Sequence, residues 1–325
     1  MAAAEVEVAG ALGEVSAEAL LKRLEWTVLR RLDGLLQGDH RTLMRGAGLD
    51  LADLREYQHH DDVRHIDWNV TARLQQPYVR QFTEDRELSA WFLVDLSASV
   101  DFGSNRLTKR TIAREFVAVL ARLLTRHGNR VGALLYGTKV DTVLPARGGR
   151  VHVLELLQRM AARPAEAAAG ATDLRDLLLA AQRHVKRRST IFVVSDFISP
   201  PGWEQALGQL AQRHEVTAVR LFDALEVDLP DIGLITLRDA ETGEQLLVDT
   251  HNAGFRKRFK AAAEKRENQL RESLAQAGVD TLELGTDDDL VDSVVRFAEL
   301  KKQRSRRANW SGPHGRSLAH IRPAA

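Results

Sequence analysis

From Ala90 onward, short apolar runs alternate with longer stretches whose apolar positions recur every third or fourth residue. Trp91-Phe92-Leu93-Val94 is one such run, and it stops at Asp95. Val131–Tyr136, Thr190–Val194, Val216–Phe222 and Val279–Leu284 have the same character, so each predicts a buried strand. Arg106–His127 places Ile112, Phe116, Leu120 and Leu123 on one helical face, with Gly128 as the stop. Helices are also predicted over Val151–Ala162, Leu174–Arg187, Trp203–His214, Phe255–Ala277 and Asp287–Gln303. Lys139–Leu144 fits a strand pairing back at the sheet edge. Leu234–Leu237 and Gln245–Val248 fit a small hairpin around Glu241-Thr242-Gly243. Strand–helix alternation of this kind implies an α/β fold: a doubly wound, mostly parallel sheet with helices on both faces.

The chain before Ala90 reads differently. Ser16–Gln37 is helical, with Leu21, Leu24, Val28, Leu32 and Leu35 at helical spacing and Gly38 following. Gly46–Glu87 is rich in Asp, Arg and His and has weak periodicity. So long a structureless loop is implausible, and the expectation is a small irregular β-rich module of short strands and turns held by ion pairs. The expected organisation is a helix over 1–37, a segment over 38–87 packed on the sheet domain, the sheet domain over 88–304, and a disordered basic tail over 305–325.

Composition changes this picture in three places. The chain has 325 residues, 44% hydrophobic and 28% charged, as in a soluble globular protein. No stretch approaches a membrane span, and Met1–Gly10 lacks the basic and apolar regions of a secretory leader, so a cytoplasmic location is expected. The absence of cysteine excludes disulfides, thiolate metal sites and cysteine nucleophiles. From Lys301 onward there are seven basic and no acidic residues, which leaves 39 basic against 45 acidic residues elsewhere. A body with that balance is not expected to bind nucleic acid.

In a doubly wound sheet, ligands sit outside the carboxyl ends of the strands. Two predicted strands end in an acidic residue there: one opens into Asp95-Leu96-Ser97-Ala98-Ser99, the other into Ser195-Asp196. Between them, Thr172 offers a hydroxyl just before a helix. Asp95, Ser97, Ser99, Thr172 and Asp196 are hard oxygen donors suited to Mg²⁺, or to Mn²⁺ or Ca²⁺, and are expected to converge on one cation. Asp at a strand end also serves as a turn former or cap. His59, His60 and His65 are not expected to hold zinc, because adjacent histidines point apart and no H-E-x-x-H helix exists. Arg147-Gly148-Gly149-Arg150 lacks the G-K-[ST] of a phosphate loop.

These residues resemble the metal-ion-dependent adhesion site of von Willebrand factor A domains. Upstream, Arg55-Glu56-Tyr57 and Asp61-Asp62-x-Arg64-x-Ile66-Asp67-Trp68-x-x-x-Ala72-Arg73 resemble the bacterial "domain of unknown function 58" family. These are von Willebrand A-like proteins often encoded beside MoxR-type AAA+ ATPases. The chain departs from many members in having Asp61 where they carry Gly and Val100 where they carry Met.

The resemblance implies a non-enzymatic, metal-dependent protein-binding module. In it, an acidic side chain of the partner completes the cation's coordination, and a MoxR-type AAA+ ATPase is the expected partner. Two alternatives stand beside it. One is a metal-independent scaffold acting through Arg55, Glu56, Asp62, Arg64, Asp67, Trp68 and Arg73, as an ion-pair network or a partner surface. The other is a Mg²⁺-dependent hydrolase, for which no general base is clearly placed.

Overall fold

Five apolar runs become five parallel strands because strands buried on both faces have no polar side to show. The computed structural model describes residues 16–25, 28, 32, 53–58, 63, 66–81, 89–104, 107–162, 173–238 and 245–310. The chain runs α1 (Ala17–Leu24), β1 (Asp53–Glu56), α2 (Trp68–Leu74), β2 (Tyr78–Gln81), β3 (Ser89–Asp95), α3 (Lys109–Arg126), β4 (Arg130–Tyr136), β5 (Val140–Arg147), α4 (Arg150–Ala161) and α5 (Leu174–His184). It continues with β6 (Thr190–Ser195), α6 (Trp203–Arg213), β7 (Glu215–Phe222), β8 (Leu234–Arg238), β9 (Gln245–Asp249), α7 (Ala253–Gln276), β10 (Asp280–Gly285) and α8 (Leu290–Trp310).

The central sheet has the order β10-β7-β6-β3-β4-β5. Every pairing in it is parallel except β4–β5, so β5 is an antiparallel edge formed by a short return of the chain. Exposure alternates along β5, and Pro145 lies where its register with β4 shifts.

Strand alternation divides the core in two. Phe92, Val94, Phe192 and Val194 point to the face covered by α1, α3, α4 and α8. Trp91, Leu93, Ile191 and Val193 point to the face covered by α5, α6 and the end of α7. On the first face, Phe92 stacks on Phe192 at 5.3 Å, and Phe116 of α3 meets both rings edge-on at 6.5 and 6.1 Å. Helix starts are set by local chemistry. Ser16, Thr108, Asp173 and Asn252 each accept a hydrogen bond from a backbone N–H of the following turn.

Two elements differ from expectation. Asp67 accepts from the Val70 N–H at 3.2 Å, so the Trp68–Leu74 segment is a capped helix rather than strand or turn. This helix lies between β1 and β2, which pair antiparallel in register from Asp53↔Gln81 to Glu56↔Tyr78. The last helix runs to Trp310, past Gln303 and into the expected tail. Lys302, Arg304, Arg306 and Arg307 are good helix formers, and the Gly312-Pro313 pair stands just beyond. Among the described residues, no helix is long and apolar enough to cross a membrane.

Gly132 faces Trp91 across β3–β4, and a Cβ there would lie 2.8 Å from the indole ring. Trp91 is buried in the cluster formed with α5 and α6. Gly132→Ala should therefore destabilise the fold by about 1–3 kcal/mol in urea unfolding. Gly148→Ala, whose Cβ meets nothing closer than 4.0 Å, should be neutral or mildly stabilising.

Candidate functional site

The carboxyl ends of β3, β6 and β7 deliver one acidic side chain each, or nearly so, to the same edge of the sheet: Asp95, Asp196 and Asp223. All three are buried, with 5%, 3% and 0% exposure. Burial of this depth requires every carboxylate oxygen to find a donor.

Asp95 finds its donors within the chain. Its Oδ1 accepts from the Ser97 N–H at 3.0 Å, and its Oδ2 accepts from the Ser195 hydroxyl at 2.7 Å. Ser195 Oγ in turn accepts from the Phe197 N–H at 2.9 Å. The Ser97 and Ser99 hydroxyls do converge, but on each other, 3.1 Å apart. The loop that follows is held by Arg110, which donates to the Leu96 carbonyl and to Asp101 at 3.0 Å each.

Asp196 Oδ1 accepts from the Ile198 N–H at 3.1 Å, and its Oδ2 accepts from the Lys109 ammonium at 2.7 Å. Lys109 also donates to Glu226 Oε1 at 2.7 Å. The other Glu226 oxygen accepts from the Asp223 N–H at 3.1 Å. Asp223 accepts from the Ser104 N–H, the Leu225 N–H and the Thr286 hydroxyl at 2.9, 2.9 and 2.7 Å. Phe197, immediately after Asp196, sits at φ +58°, a left-handed conformation that a bulky residue adopts only when packing enforces it. Its ring packs on Trp203 at 5.3 Å.

The electrostatics follow from this packing. Burial and the neighbouring charge of Asp196 push the Asp95 carboxyl up to about 6, against hydrogen bonds from Ser195 and Ser97 that pull it down. For Lys109, burial favours loss of the proton. Attraction to Asp196 and Glu226, with their hydrogen bonds, outweighs it and raises its pKa. Burial alone would raise Asp223, but the hydrogen bonds from Ser104, Thr286 and Leu225 hold it below the usual carboxylate value.

The expected Mg²⁺ site is thus corrected. Among the described residues, no group of three or more His, Cys, Asp or Glu side chains is placed to hold a metal ion. Asp95 and Asp196 instead have each oxygen engaged by a hydroxyl, backbone or ammonium donor, and the two serine hydroxyls share one hydrogen bond. The residues present do not fit the Mg²⁺, Mn²⁺ or Ca²⁺ that the resemblance implied. Thr172 lies outside the described residues. The next residue, Asp173, gives its N–H to the buried Tyr136 hydroxyl at 2.9 Å, which ties the start of α5 to the end of β4. Lys109 and Glu226 were not among the expected site residues. Position 109 does share the helical face of Ile112, Ala113, Phe116 and Leu120, and that was its one sequence signal.

Of the upstream residues, Asp67 is buried and caps α2, and Glu56 is exposed. Arg73 is exposed in the last turn of α2. Trp68 does not pack down: it is 70% exposed. Asp62 and Arg64 lie outside the described residues, and Arg55 is described in its backbone within β1.

The mostly parallel sheet with helices on both faces is consistent with a von Willebrand A-like, doubly wound fold. Residues 53–269 match the family described as "Protein of unknown function DUF58", and the chain belongs to that family. A protein of Mycobacterium tuberculosis, Rv1480, is 38% identical over 296 residues, which is 90% of this chain and 92% of that one. A Mycobacterium avium protein, MAV169, is 35% identical over 164 residues, covering 50% of this chain and 95% of its own. Among solved structures, an aerotolerance-related membrane protein from Bacteroides fragilis aligns at 13% identity with a TM-score of 0.44, over 67% of this chain and 99% of that one. BatB from Bacteroides thetaiotaomicron aligns at 13% identity and 0.43, over 66% and 99%.

Because the folded-state pKa of Asp95 lies above its ordinary 3.8, the native state holds that proton more tightly than the unfolded chain. Its ionisation therefore costs nothing below about pH 4 and its full amount above about pH 6. Asp95→Asn should gain on the wild type as pH rises between these limits, by on the order of 3 kcal/mol. Urea unfolding of both proteins at about pH 4 and pH 7 measures this. A stability difference that stays constant with pH would contradict it.

Proposed function

We propose that this protein is a metal-independent, non-enzymatic scaffold that binds a protein partner through the β1–α2–β2 segment. The observation that carries the reading is the exposure of Trp68 at 70%, with Val63 at 59% and Leu74 at 55% on the same short stretch. Tryptophan dominates binding energy where interfaces have been dissected, because a large rigid ring buries much apolar area at little entropic cost. The acidic strand-end residues, by contrast, are buried, with donors of the chain itself on their oxygens. The partner class expected from the family resemblance is a MoxR-type AAA+ ATPase. The chain would serve it as an adaptor in assembly or maturation, and hydrolysis would belong to the ATPase.

The test is capture of the ATPase by the tagged wild type, Trp68→Ala and Asp95→Asn, each with Mg²⁺ and with EDTA. The wild type and Asp95→Asn should capture it equally in both buffers. Trp68→Ala should weaken binding by roughly thirtyfold, the cost of losing an interface anchor worth about 2 kcal/mol. If Asp95→Asn or EDTA abolishes capture while Trp68→Ala does not, docking occurs at the strand ends and the reading fails. Absence of capture by all three would remove this ATPase class as the partner.

A further inference from the structure

Lys109 opens α3, a position where a lysine ordinarily extends into water, yet it is 1% exposed. Its ammonium bridges the end of β6, through Asp196, and the turn after β7, through Glu226, at 2.7 Å to each. The Phe102 ring lies 6.0 Å from it on a third side. Three separate elements therefore meet at one positive charge. Each carboxylate spends its remaining oxygen on a backbone N–H, Asp196 on Ile198 and Glu226 on Asp223.

We propose that Lys109 is the resident cation of the strand-end site: a built-in ammonium doing permanently what a bound divalent ion was expected to do there. Of the expected ligands, Lys109 touches Asp196. Mg²⁺ binds oxygen at about 2.0–2.1 Å, so an ion on Asp196 would share its ligand with the ammonium and be repelled by it. The charge balance agrees with this, because the buried Asp196 needs a cationic partner and Lys109 supplies it without loss to solvent. A tethered cation also differs from a free one in consequence. It cannot be chelated or exchanged, and it presents no vacant coordination position to a partner. Lys109 is thus a positioning residue that fixes the loops after β6 and β7 against the start of α3. This deepens the metal-independent reading. Its test follows the stability of the isolated chain, so it can fail while ATPase capture succeeds, or the reverse.

The experiment is thermal unfolding of the wild type, Lys109→Ala and Lys109→Met/Glu226→Gln, each in EDTA, Mg²⁺ and Mn²⁺. The wild type should melt at the same temperature in all three. Lys109→Ala leaves the buried Asp196 and the half-buried Glu226 without their cation and should melt roughly 10 °C lower in EDTA. Divalent ions should restore part of that loss, because the vacated space is then lined by carboxylate oxygens. Lys109→Met/Glu226→Gln removes one positive and one negative charge together. It should melt above Lys109→Ala in EDTA and be less sensitive to metal. Marked stabilisation of the wild type by Mg²⁺ or Mn²⁺ would overturn the proposal. So would a Lys109→Ala protein that melts like the wild type in EDTA, or one that gains nothing from either ion. If Lys109→Ala does not fold in EDTA, the wild-type series and the double variant decide the matter.

Discussion

A buried charge needs a partner, and this requirement organises the carboxyl end of the sheet. Parallel strands covered on both faces bring their ends together in a space from which helices and loops exclude water. Asp95, Asp196 and Asp223 enter that space, and their oxygens must be satisfied there. Short loops supply most of the donors as backbone N–H groups and serine or threonine hydroxyls. The remaining demand is for positive charge, and it draws the first residue of α3 inward. The loop after β6, the turn after β7 and the start of α3 are tied together by this one neutralisation.

The molecule consequently divides its chemistry between two places. The strand ends are closed and internally satisfied, and they act as an anchor for loops. The upstream segment is small, polar and held by backbone pairing between β1 and β2, with Asp67 capping the helix between them. It exposes an indole and two aliphatic side chains. Exposed apolar side chains grouped on one short segment are a feature that partner-binding surfaces share.

The sheet was legible in the sequence because buried parallel strands are written as uninterrupted apolar runs, and because Asp95 and Asp196 stop two of them sharply. The antiparallel edge and the β8–β9 hairpin were legible from return length and turn residues. The helix α2 was hidden: Asp67 reads as one more charge in an Asp- and Arg-rich stretch, and its capping role appears only with the Val70 N–H above it. At the strand ends the expected cation was incorrect: among the described residues no group of three or more His, Cys, Asp or Glu is placed to hold a metal ion. Spacing brought Ser97 and Ser99 together, but spacing cannot tell whether two hydroxyls face an ion or each other. Lys109 escaped notice because lysine in a first helical turn reads as solvated. Glu226 lies in a stretch with no periodicity at all.

The edge strand β5 has a bearing on how this protein behaves when crowded. A sheet flank is a row of unpaired donors and acceptors that a neighbouring molecule can copy, and repeated copying is how fibres grow. Pro145 has no N–H to offer and lies where the register with β4 already shifts, so the ladder is irregular there. Along the strand, exposed residues alternate with covered ones, so an incoming segment gains little dry contact. The flank is thereby spoiled as a template, and the sheet is capped on that side at six strands.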